Sequence, residues 1–126
     1  MKSFWISSLI LVAMIAALLF NAHHLQTFVE PLQEKLEHAE TFAQADDWAT
    51  ATQMTQEVYH SLEEKKFYLH VTLPHAELDH MYLLIAESLS YLEHKKIGEY
   101  QATNQTLIRR MELLYGMECL TLNNLL

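Results

Sequence analysis

Residues 4–22 (FWISSLILVAMIAALLFNA) contain no Asp, Glu, Lys or Arg. As a helix rising 1.5 Å per residue, the stretch reaches roughly 28 Å, against roughly 30 Å for the hydrocarbon core of a bilayer. Everything after it is acidic, histidine-containing and periodic, so the remaining chain reads as a domain held at a lipid surface. The apolar run is longer than the roughly 7–15 residues of a secretory signal core. Leu19-Phe20-Asn21-Ala22 also lacks a small-x-small cleavage pattern. Residues 1–22 are therefore expected to form an uncleaved transmembrane anchor, touching the lipid bilayer through Phe4 to Ala22, with residues 23–126 as a separate acidic domain. Lys2 precedes the span and Glu30 is the first charge after it. That bias predicts a single-pass cell-membrane protein with a cytoplasmic N-terminus and an extracytoplasmic domain. Trp5 stands where an interfacial aromatic would.

Charge narrows the partners. Residues 23–126 hold all 16 acidic side chains and all but one of the 8 basic ones. Such a domain gains nothing from a phosphate backbone, which argues against nucleic acid, and it is repelled as a whole from anionic lipid. The single cysteine, Cys119, cannot close an internal disulfide and has no neighbouring base, so it is expected to be a buried structural thiol.

Two glycines and two prolines in 126 residues are too few for the turns of a strand-rich fold. The apolar spacing instead predicts an all-α chain of four helical segments. Leu25, Phe28, Val29, Leu32, Leu36, Ala39 and Ala43 follow a three-or-four-residue step, with Pro31 as a kink or restart. Asp46 or Asp47 can cap a second helix that carries Trp48, Ala51, Thr55, Val58, Tyr59 and Leu62 inward and runs to about Leu69. Thr72 can cap a third with Pro74 in its first turn, burying Leu78, Met81, Tyr82, Ile85, Leu89 and Leu92. A fourth presents Tyr100, Thr103, Leu107, Met111 and Leu114, with Gly116 as its terminator. Segments of about 19–23 residues on short connections predict an N-terminal transmembrane helix followed by an antiparallel up-down-up-down four-helix bundle. The first bundle helix is either continuous with the anchor or restarts after it. Alternating direction would bring His23, His24, the 67–74 connection and the apolar tail Leu120–Leu126 to the anchor end. The tail would pack beneath the bundle or touch the interface.

Few residues suggest chemistry. Glu57 with His60, and Glu77 with His80, repeat the Glu-x-x-His spacing of di-iron bundles. At 100° per residue, however, Glu57, His60 and His80 turn about 150° from the apolar stripes, and a buried metal pair needs inward ligands. The only candidates for a metal are the weak set His75, Glu77, Asp79 and His80, with His70, His23 and His24 at the same end. Zinc or copper binding and proton sensing are the chemistries open to them. Ordinary polar residues in a helix's first turn account for the same pattern. Phe67 and the tyrosines read as core, and Glu63-Glu64-Lys65-Lys66 as a solvated face. No phosphate loop or nucleophile elbow is present, and no cofactor is expected.

Four stretches resemble a family of small single-pass bacterial proteins, mainly of Firmicutes, known as domain of unknown function 4363. They are Met1-Lys2-Ser3 with its anchor, Asp47-Trp48 with Ala51, the segment Lys65–Leu69 through His75–Asp79, and the tail Leu120–Leu126. Ala76 departs from the family pattern where an acid is frequent, which weakens a metal reading there. The resemblance implies a membrane-anchored helical protein and no particular activity. Together these features lead to the expectation of a non-enzymatic interaction or scaffold module that binds an envelope protein or itself. The alternative is a sensor-like ectodomain taking a small ligand, metal or protons near the membrane.

Overall fold

The computed structural model describes residues 2–125, with the side chains of 22, 72 and 115–125 outside the description. The side chains of Cys119 and of the tail 120–126, to which the sequence assigns a buried thiol and a packing role, lie outside the description. The fold is all-α. Its elements are α1 (Lys2–Gln44), α2 (Trp48–Glu64), α3 (Lys66–Thr72), α4 (His75–Glu93) and α5 (Ile97–Leu125).

The apolar stretch and the first bundle helix are one object. α1 runs 43 residues without a break, through residue 22 and through Pro31. Pro31 withholds one N–H, but Pro31 and Thr27, whose carbonyl loses that donor, are both exposed, so water can serve the carbonyl. The most hydropathic window of α1 has none of its residues buried, and the first buried residue is Leu25. From there Val29, Leu32, Leu36, Ala39 and Ala43 follow the expected step into the core.

Three other segment boundaries differ from the sequence reading, and with them the expectation of matched segment lengths fails. The second helix stops at Glu64, and Lys65, at φ −100° and ψ 16°, separates it from α3. An unbroken helix carrying Leu62 and Leu69 inward would turn Lys65 or Lys66 inward between them, and both lysines are exposed. Pro74 sits one position before α4 as its N-cap rather than inside the first turn. α5 continues past Gly116 to Leu125, so that glycine does not end it.

The turns after α1 and α4 share one geometry. Asp47 N–H donates to the Phe42 carbonyl (2.8 Å) and Asp46 N–H to Ala43 (3.1 Å). Lys96 and Lys95 repeat the pair onto Tyr91 (2.9 Å) and Leu92 (3.2 Å). These are Schellman closures, and each needs a left-handed residue. Asp46 (φ 64°) and Lys95 (φ 55°) supply it, neither of them glycine. Asp47 then caps α2, its side chain accepting from Thr50 N–H at 3.3 Å.

α1 packs on α2 and α5, and α4 packs on the same two helices. Cross-helix partners run in opposite chain order. Asn21 meets Tyr68 while Lys35 meets Glu57. Along α1 and α5, Gln33 meets Ile108 while Glu40 meets Gln105, and Asn104 reaches Leu36 between them. The helices enclose two clusters. The larger centres on Leu36, Leu62, Leu78, Ile85 and Leu107. The smaller joins Ala39, Ala43 and Ala51 to Leu92 and Tyr100 beside the two Schellman turns, where alanines let helices approach closely and the tyrosine ring fills the space. Asn104, not Thr103, takes the buried α5 position. Leu84 and Ser88 are buried beyond the expected stripe, whereas Tyr59 is 36% exposed rather than core.

Tyr100 is fully buried and its hydroxyl has no well-formed hydrogen bond, while the nearby Thr55 hydroxyl donates to the Ala51 carbonyl. Burial first, and the Glu40 charge second, push the phenol up to about 12, with Thr55 weakly opposing. A raised folded value means full stability below the unfolded value near 10, lost as pH climbs through the folded one. Urea melts in detergent should therefore show wild type losing about 2–3 kcal/mol between roughly pH 10 and 12, a loss that Tyr100→Phe removes. In the same assay at neutral pH, Lys95→Gly should gain about 0.5–1 kcal/mol by relieving the left-handed side chain.

Candidate functional site

The chemistry-bearing residues singled out from the sequence gather around the short helix α3 and the start of α4. Leu69 and Leu73 enter the core, which holds α3 against the bundle. Tyr68 reaches α1, its hydroxyl donating to Asn21 Oδ1 at 2.7 Å. The His24 ring stands edge-on to Tyr68 with centroids 5.2 Å apart, and Phe20 stacks on His24 at 6.2 Å. The α3–α4 connection is thereby fastened to α1 where its exposed apolar stretch ends.

Leu73 at φ −111° and ψ 151° is extended, as a residue before proline must be, and it turns the chain from α3 into α4. The turn brings His70 and His75 together, with Nδ1 atoms 3.1 Å apart and ring centroids 4.9 Å apart. At that separation one imidazole can donate to the other, the tautomers deciding which of the two carries the proton between them. The weak candidate set is not assembled. His75 and Asp79 are exposed and His80 is half-buried. Glu77 turns to Arg110 of α5 at 3.5 Å instead. Among the described residues, no three His, Cys, Asp or Glu side chains converge on a point that could hold a metal ion. Glu57 pairs with Lys35 at 3.0 Å on the outer surface, and that hydrogen bond and charge hold its carboxyl below the usual range. His60 beside it is exposed.

Four functional features escape sequence reasoning. The Asn21–Tyr68 bond joins residues 47 apart, and no periodicity announces it. Arg110 falls on the flank of its helix. Asn104 is buried, donating from Nδ2 to the Leu36 carbonyl at 3.0 Å, with its Oδ1 left without a partner. Phe67, expected in the core, is 84% exposed, and Val71 one turn later is 74% exposed. Phe67 lies two residues before the buried Leu69, about 160° around the helix from it, so it faces outward with or without the break at Lys65.

A hydroxyl bond of this kind contributes about 1 kcal/mol. In Tyr68→Phe, amide exchange along α3 should accelerate roughly fivefold while the α1–α5 core is unchanged. Equal rates in the two proteins would show that the bond does not hold α3.

A family model described as a domain of unknown function (DUF4363) matches residues 19–125. No curated protein and no solved structure matches the chain.

Proposed function

The chain belongs to the DUF4363 family, and on that footing we propose that it is a membrane-anchored, non-enzymatic interaction module of the cell envelope. The observation that carries this reading is the unbroken helix α1. Its N-terminal part is apolar and unburied, and from Leu25 the same helix is a wall of the bundle core. An exposed apolar helix of membrane length is costly in water and stable in lipid. A bundle built directly on it is held at a fixed distance and orientation from the bilayer, which is what a docking scaffold requires. Lys2 orients the span with its N-terminus in the cytoplasm, placing the acidic bundle outside.

Two experiments test it. In a Cys119→Ser background, Asp46→Cys should react in intact cells with a maleimide that does not cross membranes; protection until lysis would reverse the orientation. Photo-crosslinkers on exposed positions of α2 and α4 should capture one dominant envelope protein, or a second copy of the chain. Absence of any product from either helix would refute the scaffold reading.

The His70–His75 contact favours a second reading, a sensor near the membrane, because two ring nitrogens 3.1 Å apart can take one soft cation in place of the proton between them. Zinc should then raise the melting temperature of the full chain in detergent, and His75→Ala should abolish the rise. An identical melt with and without zinc counts against this alternative.

A further inference from the structure

Of the large apolar side chains described, Phe67 is the most exposed, more so than any in the apolar stretch of α1. Phe67 and Val71 are four residues apart on one face of α3, so their exposed surfaces adjoin. Scattered exposed apolar residues are ordinary, but a paired aromatic and aliphatic face on a helix of seven residues is a patch with a direction. Its position gives that direction. The Tyr68–Asn21 bond sets α3 level with the end of the charge-free stretch. Lys35 meets Glu57 and Asn21 meets Tyr68, so the chain advances toward the N-terminal end of α1 as it passes from α2 into α3, and continued at helical rise Val71 falls about 4.5 Å beyond Tyr68. The order of residues entering α3 fits the same axis: Glu63 and Glu64 come first, then the exposed pair Lys65 and Lys66, then Phe67 and Val71.

We infer that α3 is a second lipid contact, with Phe67 and Val71 inserted at the headgroup–acyl boundary and Lys65 and Lys66 at the phosphate level. This rests on α1 crossing the bilayer as proposed above. With α1 spanning the hydrocarbon layer from Phe4 to Ala22, the exposed face of α3 stands at the level of the membrane interface. An interfacial apolar face sits about 5–10 Å deep, and an offset of about 4.5 Å below Asn21 puts Val71 at the shallow edge of that range. Lysines just outside that depth are drawn to anionic headgroups even though the domain as a whole is acidic. The contact makes the attachment two-point. α1 fixes height, and α3 fixes which side of the bundle leans on the membrane.

The test uses the full chain with Cys119→Ser, reconstituted in vesicles of phosphatidylcholine and phosphatidylglycerol. A polarity-sensitive fluorophore is attached in turn to Leu11→Cys, Val71→Cys and Asp46→Cys, and quenching is measured with nitroxides placed at shallow or deep positions on the lipid. Leu11 should be quenched chiefly by the deep nitroxide. Val71 should be quenched roughly twofold or more by the shallow one, and Asp46 by neither. Raising the phosphatidylglycerol fraction should strengthen shallow quenching at Val71, and Lys65→Glu with Lys66→Glu should cancel that gain. If Leu11 is quenched while Val71 behaves like Asp46, the span stands and the second contact is refuted. A blue-shifted Val71 label untouched by either nitroxide would mean that protein covers the patch, which overturns the lipid assignment. No deep quenching at Leu11 would overturn the transmembrane reading and this inference with it.

Discussion

One helix occupying two environments is the constraint on which the rest of this structure depends. α1 shows only an unburied apolar surface over its first half and a core-facing stripe over its second, with no hinge between them. The backbone hydrogen bonds of an unbroken helix resist bending far more than a loop does, so whatever fixes the first half also orients the second. The other helices take their positions from that rod. α2 and α5 lie against it, α4 closes on those two, and α3 is tied to it by Tyr68.

Polar contacts set the register of these helices where leucines alone would tolerate sliding. Gln33 to Ile108, Asn104 to Leu36 and Gln105 to Glu40 all cross the α1–α5 seam. Asn104 is the demanding member, because a slip of one turn would bury its amide beside apolar side chains without the Leu36 carbonyl. Its unpartnered Oδ1 lowers the stability gained but does not weaken the selection of register. The distal cluster adds a size rule. Alanines at 39, 43 and 51 leave a space that Tyr100 fills, and a larger side chain at any of the three would displace the ring.

Much of this architecture was legible in the sequence because helices advertise themselves by period. The stripe from Leu25 to Ala43, Thr55 at the centre of the α2 face, the Asp47 cap and the scarcity of turn residues all lead from residues to fold. What stayed hidden depends on local backbone choices that composition does not encode. Glycine is the usual left-handed residue of a Schellman turn, and here Asp46 and Lys95 take that position. The α2–α3 break falls inside a charged run that reads as one solvated face, and the expectation for Phe67 rested on its apolar type, although its spacing from Leu69 turns it outward. At the candidate site the sequence placed the histidines at the right end, but which of them touch was decided by the extended Leu73–Pro74 step. The same step left Glu77 to Arg110 rather than to a metal set. Pairings such as Asn21 with Tyr68 need the third dimension and could not have been read from spacing.

The continuous rod also has a mechanical consequence. From Ala22 to Gln44 the helix extends about 33 Å, so each 10° of tilt in its apolar half carries the Asp46–Trp48 turn sideways by about 6 Å. A change in bilayer thickness that re-tilts an apolar helix would thus be magnified at the far tip of the bundle into a displacement the size of a side chain. With α1 in a bilayer and α3 braced near the base, as proposed, the tip would be the part of the molecule whose position is most sensitive to the membrane, although it would lie farthest from it.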